Sequence, residues 1–159
     1  DDPGFYRASS MLVERGWLGQ KTGIGFYRYE KGSRDRQDNP EAIKMFASEA
    51  VRLGIEQRQI SDEEIEQRCL YAMINEGARV LEEGVALRAS DIDVVYTSGY
   101  GFPRWRGGPM FHADTVGLRA ICTRIDDFAE KLDPQYWQAS DLLRSLADSG
   151  EAIADYVND

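Results

Sequence analysis

The sequence is short of histidine, cysteine, cations and long apolar runs, and each shortage removes a class of function. A single histidine, His112, in 159 residues leaves no metal centre that could be built on several imidazoles. The two cysteines, Cys69 and Cys122, are far apart and have no close ligand spacing, so no zinc site is expected. Both are read as reduced residues of a helical core, in keeping with a cytoplasmic setting. No apolar run approaches the ~20 residues of a bilayer span, and nothing near the start reads as a basic-then-apolar signal segment. The 19 Lys and Arg are outnumbered by 28 Asp and Glu, for a net charge of −9. Nucleic-acid affinity rests on cations that neutralise phosphate, so nucleic acid is not an expected partner. The same acidity opposes any phosphate-rich ligand unless basic residues are clustered locally. An initiator Met is missing too, since the chain opens Asp1-Asp2-Pro3-Gly4; a processed or excised fragment is expected.

What remains is an ordinary globular composition, 42% apolar and 30% charged, in a chain long enough for one well-buried core. Apolar residues Phe5, Ala8, Leu12 and Val13 recur at helical spacing over residues 4–14, with Gly16 placed as a stop. Gly19-Gln20-Lys21-Thr22-Gly23-Ile24-Gly25 is glycine-rich and leads into Phe26-Tyr27-Arg28-Tyr29, which predicts an irregular turn followed by aromatics that pin this tail to a neighbouring surface. Residues 30–39 are polar or glycine and read as a linker.

Beyond it the helix signals are dense. Asn39 and Pro40 supply an N-cap and first turn, and Ile43, Phe46, Ala47, Ala50 and Val51 carry that helix towards Gly54. Ser61-Asp62-Glu63-Glu64 is a capping box with acid on the positive end of the dipole; it opens the longest helix, to about Glu83. Ser90-Asp91-Ile92-Asp93 repeats the signal for a helix to about Ser98. Further helices are expected over residues 109–116, 118–132 and 140–147. No segment alternates as a strand should, so the fold class is all-α.

Candidate chemistry is sparse. Gln20, not glycine, precedes Lys21-Thr22, so the glycine stretch is no P-loop. It neither follows a strand nor opens a helix, so it is no dinucleotide fingerprint. His112 has Asp114 two residues away, a spacing that could suit a base and its orienter, but no flanking nucleophile stands out; packing or an interface is the preferred role. On a helical wheel Glu76 falls among Ile65, Cys69, Ala72, Met73, Val80 and Leu81. A carboxylate there must be bonded, so Glu76 is expected to be a structural polar residue, with Gly77 admitting a neighbouring helix. Asp93 is taken as a second structural polar residue. The loop Arg104-Trp105-Arg106 is the best basic cluster, suited to an interface or, alternatively, to an anion such as a phosphate.

Taken together and in order, these segments resemble a known family. Gly19–Tyr27 resembles the motif that closes the helical domain of 3-hydroxyacyl-CoA dehydrogenases. Asn75-Glu76-Gly77, Leu81-Glu82-Glu83-Gly84 and Ser90-Asp91-Ile92-Asp93 resemble that domain's two core helices. Gly99-Tyr100-Gly101-Phe102-Pro103, Arg106-Gly107-Gly108-Pro109 and Ala113-Asp114 resemble the loop and helix that follow. The resemblance implies an all-α domain of the 6-phosphogluconate dehydrogenase C-terminal-like kind. Because the closing motif comes first, it resembles the multifunctional form, of the fatty-acid oxidation complex α-subunit type, in which the helical unit occurs twice. Residues 1–29 would be the tail of the first copy, 30–39 the linker and 40–159 the second copy.

For the parent protein the resemblance implies NAD-dependent oxidation of 3-hydroxyacyl-CoA in fatty-acid β-oxidation, joined to enoyl-CoA hydration. Rossmann and first helical domains of the same polypeptide would be partners, with a thiolase subunit a further one. The family's catalytic histidine–glutamate pair lies in the Rossmann domain. Its substrate-side Asn-Arg pair aligns with Gln67 and Arg68. No catalytic, cofactor-binding or metal residue is therefore assigned to this chain. Its role is expected to be structural, with an acyl-CoA or protein-binding module using Arg104, Trp105 and Arg106 as the alternative.

Overall fold

The structure, a computed structural model, describes residues 6–157; Gly4 and Phe5, expected to open the first helix, lie outside them. The chain divides into two compact units, Asp1–Gln59 and Ile60–Asp159.

In the first unit, α1 (Arg7–Glu14) leads through a turn to β1 (Tyr27–Arg28), which pairs antiparallel with β2 (Gln37–Asp38), followed by α2 (Pro40–Arg52). The stretch read as a linker is therefore partly paired. Both strand residues on each side are exposed, so no buried alternation betrays them in the sequence. Asn39 does two jobs: its oxygen caps α2 at Ala42 N (3.4 Å), and its amide donates to Gly25 O (2.8 Å). That bond secures the N-terminus of α2 to the glycine turn, and α2 groups with the first unit rather than opening the second. Arg7 on α1 donates to Glu49 on α2 at 2.6 Å. Arg52 and Arg7 together hold the Glu49 carboxyl down at about 2.

The second unit carries α3 (Asp62–Glu82), α4 (Ala89–Gly99), a 3-10 turn (Arg104–Arg106), α5 (Pro109–Val116), α6 (Leu118–Lys131), α7 (Asp141–Ser149) and a last 3-10 turn (Ile153–Asp155). Ser61 caps α3 by accepting from Glu64 N (3.2 Å), and Ser140 caps α7 by accepting from Leu143 N (3.2 Å). Helix α4 starts two residues earlier than Ser90 suggests: its cap position is Arg88, which reaches Asp91 at 2.8 Å instead. The core joins Ile74, Ala78 and Leu81 of α3 to Met110, Ile121, Ile125, Phe128, Leu143 and Ile153.

Two expectations about α3 need correction. Glu76 is exposed, its side chain 65% accessible and paired with Arg79 at 3.7 Å. Ile65 and Cys69, which place Glu76 on the apolar arc of a single wheel, are themselves exposed; the buried face runs through Tyr71, Ile74, Asn75, Ala78 and Leu81. The buried polar residue is thus Asn75. Its amide donates to Gln138 O (2.8 Å) and its oxygen accepts from Ser140 N (2.8 Å), fastening the segment before α7 to α3. Cys69, expected in the core beside Cys122, is exposed for the same reason. Gly77 does face a close neighbour: a side chain there would put its Cβ 2.5 Å from Met110 Cε on α5.

Candidate functional site

α3 and α5 of the second unit leave a cleft of about 410 Å³ beside the 3-10 turn. Glu63, Glu66, Gln67, Leu70 and Tyr71 line it from α3, and Trp105, Arg106, Phe111, His112 and Thr115 from the turn and α5. Its position follows from how α5 is held. Gly108, at φ +113°, brings the chain against Asp93 so closely that any Cβ would overlap the carboxylate. The two oxygens of Asp93 then accept from Met110 N (2.7 Å) and Phe111 N (3.0 Å), capping α5 from α4. Burial pushes the Asp93 carboxyl up, while those two amides pull it back down. Phe111 and His112 thus face the cleft because Asp93 fixes the start of their helix.

The residues singled out from sequence are only partly brought together. Trp105 (79% accessible), Arg106 and His112 share the cleft; Arg104 is exposed and does not line it. Arg106 is ion-paired with Glu66, and its guanidinium lies 4.7 Å from the centre of the Trp105 ring. A cation already matched by a carboxylate is a poor phosphate ligand, so this geometry weakens the anion alternative. Burial and then Arg106 lower the His112 pKa, against an opposing pull from Glu66. Asp114 does not serve His112 as an orienter: both its oxygens accept elsewhere, from Ile153 N (2.8 Å) and Ala154 N (3.0 Å), holding the last 3-10 turn. Sequence reasoning missed this role of Asp114, and a lone aspartate 39 residues from its partner gives no local signal.

Gln67 and Arg68, aligned with a substrate-side pair, are occupied internally. Gln67 accepts from Arg124 (2.7 Å) and donates to Glu63 (3.0 Å). Arg68 pairs with Glu64 at 3.7 Å and lies 6.0 Å over the Phe128 ring. Among the described residues no group of three or more His, Cys, Asp or Glu could hold a metal, and no helix is long and apolar enough to cross a membrane.

A sequence profile described as 3-hydroxyacyl-CoA dehydrogenase, C-terminal domain, matches residues 65–154, more than half of the chain. The chain belongs to that family. It is 42% identical over 142 residues to a peroxisomal bifunctional enzyme of Danio rerio, with 88% of this chain and 20% of that protein covered. It is 34% identical over 151 residues to a fatty acid oxidation complex subunit alpha of a Psychrobacter strain, with 95% of this chain and 21% of that protein covered. The crystal structure of the dehydrogenase part of multifunctional enzyme 1 from C. elegans is similar at a TM-score of 0.62 and 27% identity, covering 87% of this chain and 32% of that one. The chain spans about a fifth of the length of the curated relatives it matches.

The family's name implies a dehydrogenase cofactor, and the glycine turn does not fit the phosphates of a dinucleotide. In the glycine turn, Gly19 N donates to Ile24 O (2.9 Å) and Thr22 Oγ1 accepts from Leu18 N (2.9 Å) while donating to Ile24 O (3.0 Å). A phosphate cradle needs free amides at the mouth of a helix, whereas this turn closes on itself and runs into β1.

Proposed function

We propose that this chain is a non-catalytic assembly portion of a multifunctional fatty-acid β-oxidation enzyme. In this reading the intact polypeptide oxidises 3-hydroxyacyl-CoA with NAD held by a Rossmann domain, and also hydrates enoyl-CoA. The Rossmann and first helical domains are the partners of this portion, with a thiolase subunit a further one. In the same reading residues 1–29 are the tail of the first helical copy, 30–39 the linker and 40–159 the second copy. The cytoplasmic setting read from the sequence stands beside the peroxisomal one that relatives' names carry; free Cys69 and Cys122 suit any reducing compartment.

One observation carries the assembly role. Val80, Val85, Leu87, Val95, Tyr96 and Tyr100 line an apolar groove of about 520 Å³ on the α3–α4 face, with Val85 74% and Tyr100 76% accessible. Grouped apolar surface of this kind, rimmed by Glu76 and Asp91, suits a protein–protein contact. The engagement of Gln67 with Arg124 and Glu63, and of Arg68 with Glu64, supports the non-catalytic half of the reading, since both side chains are held by neighbours within the second unit.

Size-exclusion chromatography of this chain mixed with the remaining domains of its parent tests the role. A stoichiometric complex that Val85→Asp plus Val95→Asp abolishes is expected. Failure to associate, or association indifferent to those charges, would refute the assembly reading.

A further inference from the structure

The aromatic cleft between α3 and α5 has a chemistry that neither oxidation nor the α3–α4 groove explains. Its walls are Leu70, Tyr71, Trp105 and Phe111, and its rim is acidic, with Glu63 and Glu66. Asp62 and Glu64 sit on the same first turn of α3. Its one fixed cation, Arg106, is matched by Glu66 and stacked on Trp105. With two carboxylates against one guanidinium, the cleft keeps a net negative charge. Glu63 receives only the neutral amide of Gln67, at 3.0 Å.

Two readings of such a cleft can be separated on charge and size. An anionic coenzyme would bring its phosphates against Glu63 and the acidic first turn, in a molecule already carrying −9, and like charges this close repel. At 410 Å³ the cleft also lies near the small end of ligand pockets, room for a side chain or two. An exposed Trp105 flanked by Arg104 and Arg106 on the 3-10 turn has the composition of an interface hot spot. A cation that enters between Trp105 and Glu63 gains both ring-face attraction and a charge partner.

We propose that this cleft docks a segment of a partner polypeptide that presents a lysine or arginine flanked by aliphatic side chains. The cation lies between the Trp105 ring and Glu63, and the aliphatic neighbours pack on Phe111, Leu70 and Tyr71. The proposal does not depend on the assembly role of the α3–α4 groove, which lies on other residues.

The test is a titration of the full chain with a capped synthetic peptide alternating lysine with leucine, followed by calorimetry and by the indole resonance of Trp105. Saturable one-to-one binding is expected. Trp105→Ala and Glu63→Lys should each weaken it by at least about tenfold with the circular dichroism of the chain unchanged. A matching peptide with glutamate for lysine should not saturate, nor should an acyl-CoA. Absence of binding would overturn the proposal. So would affinity unchanged by Trp105→Ala, which would mark mere attraction to an acidic surface, or saturable acyl-CoA binding lost in Trp105→Ala. Equal affinity for free butylamine would also overturn it, by reducing the site to one for a small cation.

Discussion

The two halves of α3 are one continuous helix with opposite relations to the molecule. The C-terminal half turns Ile74, Asn75, Ala78 and Leu81 inward, all of them buried. The N-terminal half keeps Glu63, Ile65, Glu66 and Cys69 at the surface. The C-terminal half is a beam of the core; the N-terminal half is a wall of the aromatic cleft. A single helical wheel averages over both, and the difference teaches that a 21-residue helix can change its buried face part-way along.

Substitutions at matched depth should expose this contrast. The largest effect is expected for Ile74→Ala, which removes a fully buried side chain and should cost about 2–5 kcal/mol in urea denaturation. Asn75→Ala comes next. It leaves Ser140 N and Gln138 O without their partner, so about 1–3 kcal/mol should be lost, together with fast hydrogen exchange at Ser140. Asp93→Ala removes the acceptor of two α5 amides and should cost about 1–2 kcal/mol, with Asp93→Asn restoring part of it. The smallest change is expected in the outer half: Glu66→Gln breaks only a partly exposed pair with Arg106, worth less than about 1 kcal/mol. If Glu66→Gln proved as costly as Ile74→Ala, the contrast would collapse.

The first unit offers a pH counterpart. The Glu49 carboxyl is lowered from 4.5 to about 2 by Arg52 and Arg7. A depressed carboxylate contributes stability that is fully present above its unfolded value and is lost as pH falls through the folded one. The α1–α2 contact should therefore weaken between about pH 4.5 and 2, and Glu49→Gln should flatten that limb of an acid titration followed by tail resonances.

Much of the fold was legible because helix ends have local chemistry. Asn39-Pro40, Ser61, Pro109 and Ser140 each mark a start within a residue of where it lies, since a cap needs only its own side chain and the next turn. The start of α4 slipped because Arg88 binds Asp91 across the cap position, which competes with what Ser90 offers. The short hairpin was hidden by having no buried face. Candidate residues fared less evenly. Trp105, Arg106 and His112 could be named, but not that Glu66, forty positions before Arg106, would neutralise it. Long-range partners such as Asp114 with Ile153, or Gln67 with Arg124, leave no pattern in the spacing. Glu76 falls outside the core because the periodicity of Ile65 and Cys69 belongs to the half of α3 that faces away from it.

The central claim is that this chain supports an enzyme without performing its chemistry. Incubating the purified chain alone with a 3-hydroxyacyl-CoA and NAD, and following NADH by absorbance, tests it most directly. The account predicts no formation above the protein-free rate. Steady NADH production proportional to the amount of chain, and surviving repurification, would contradict it.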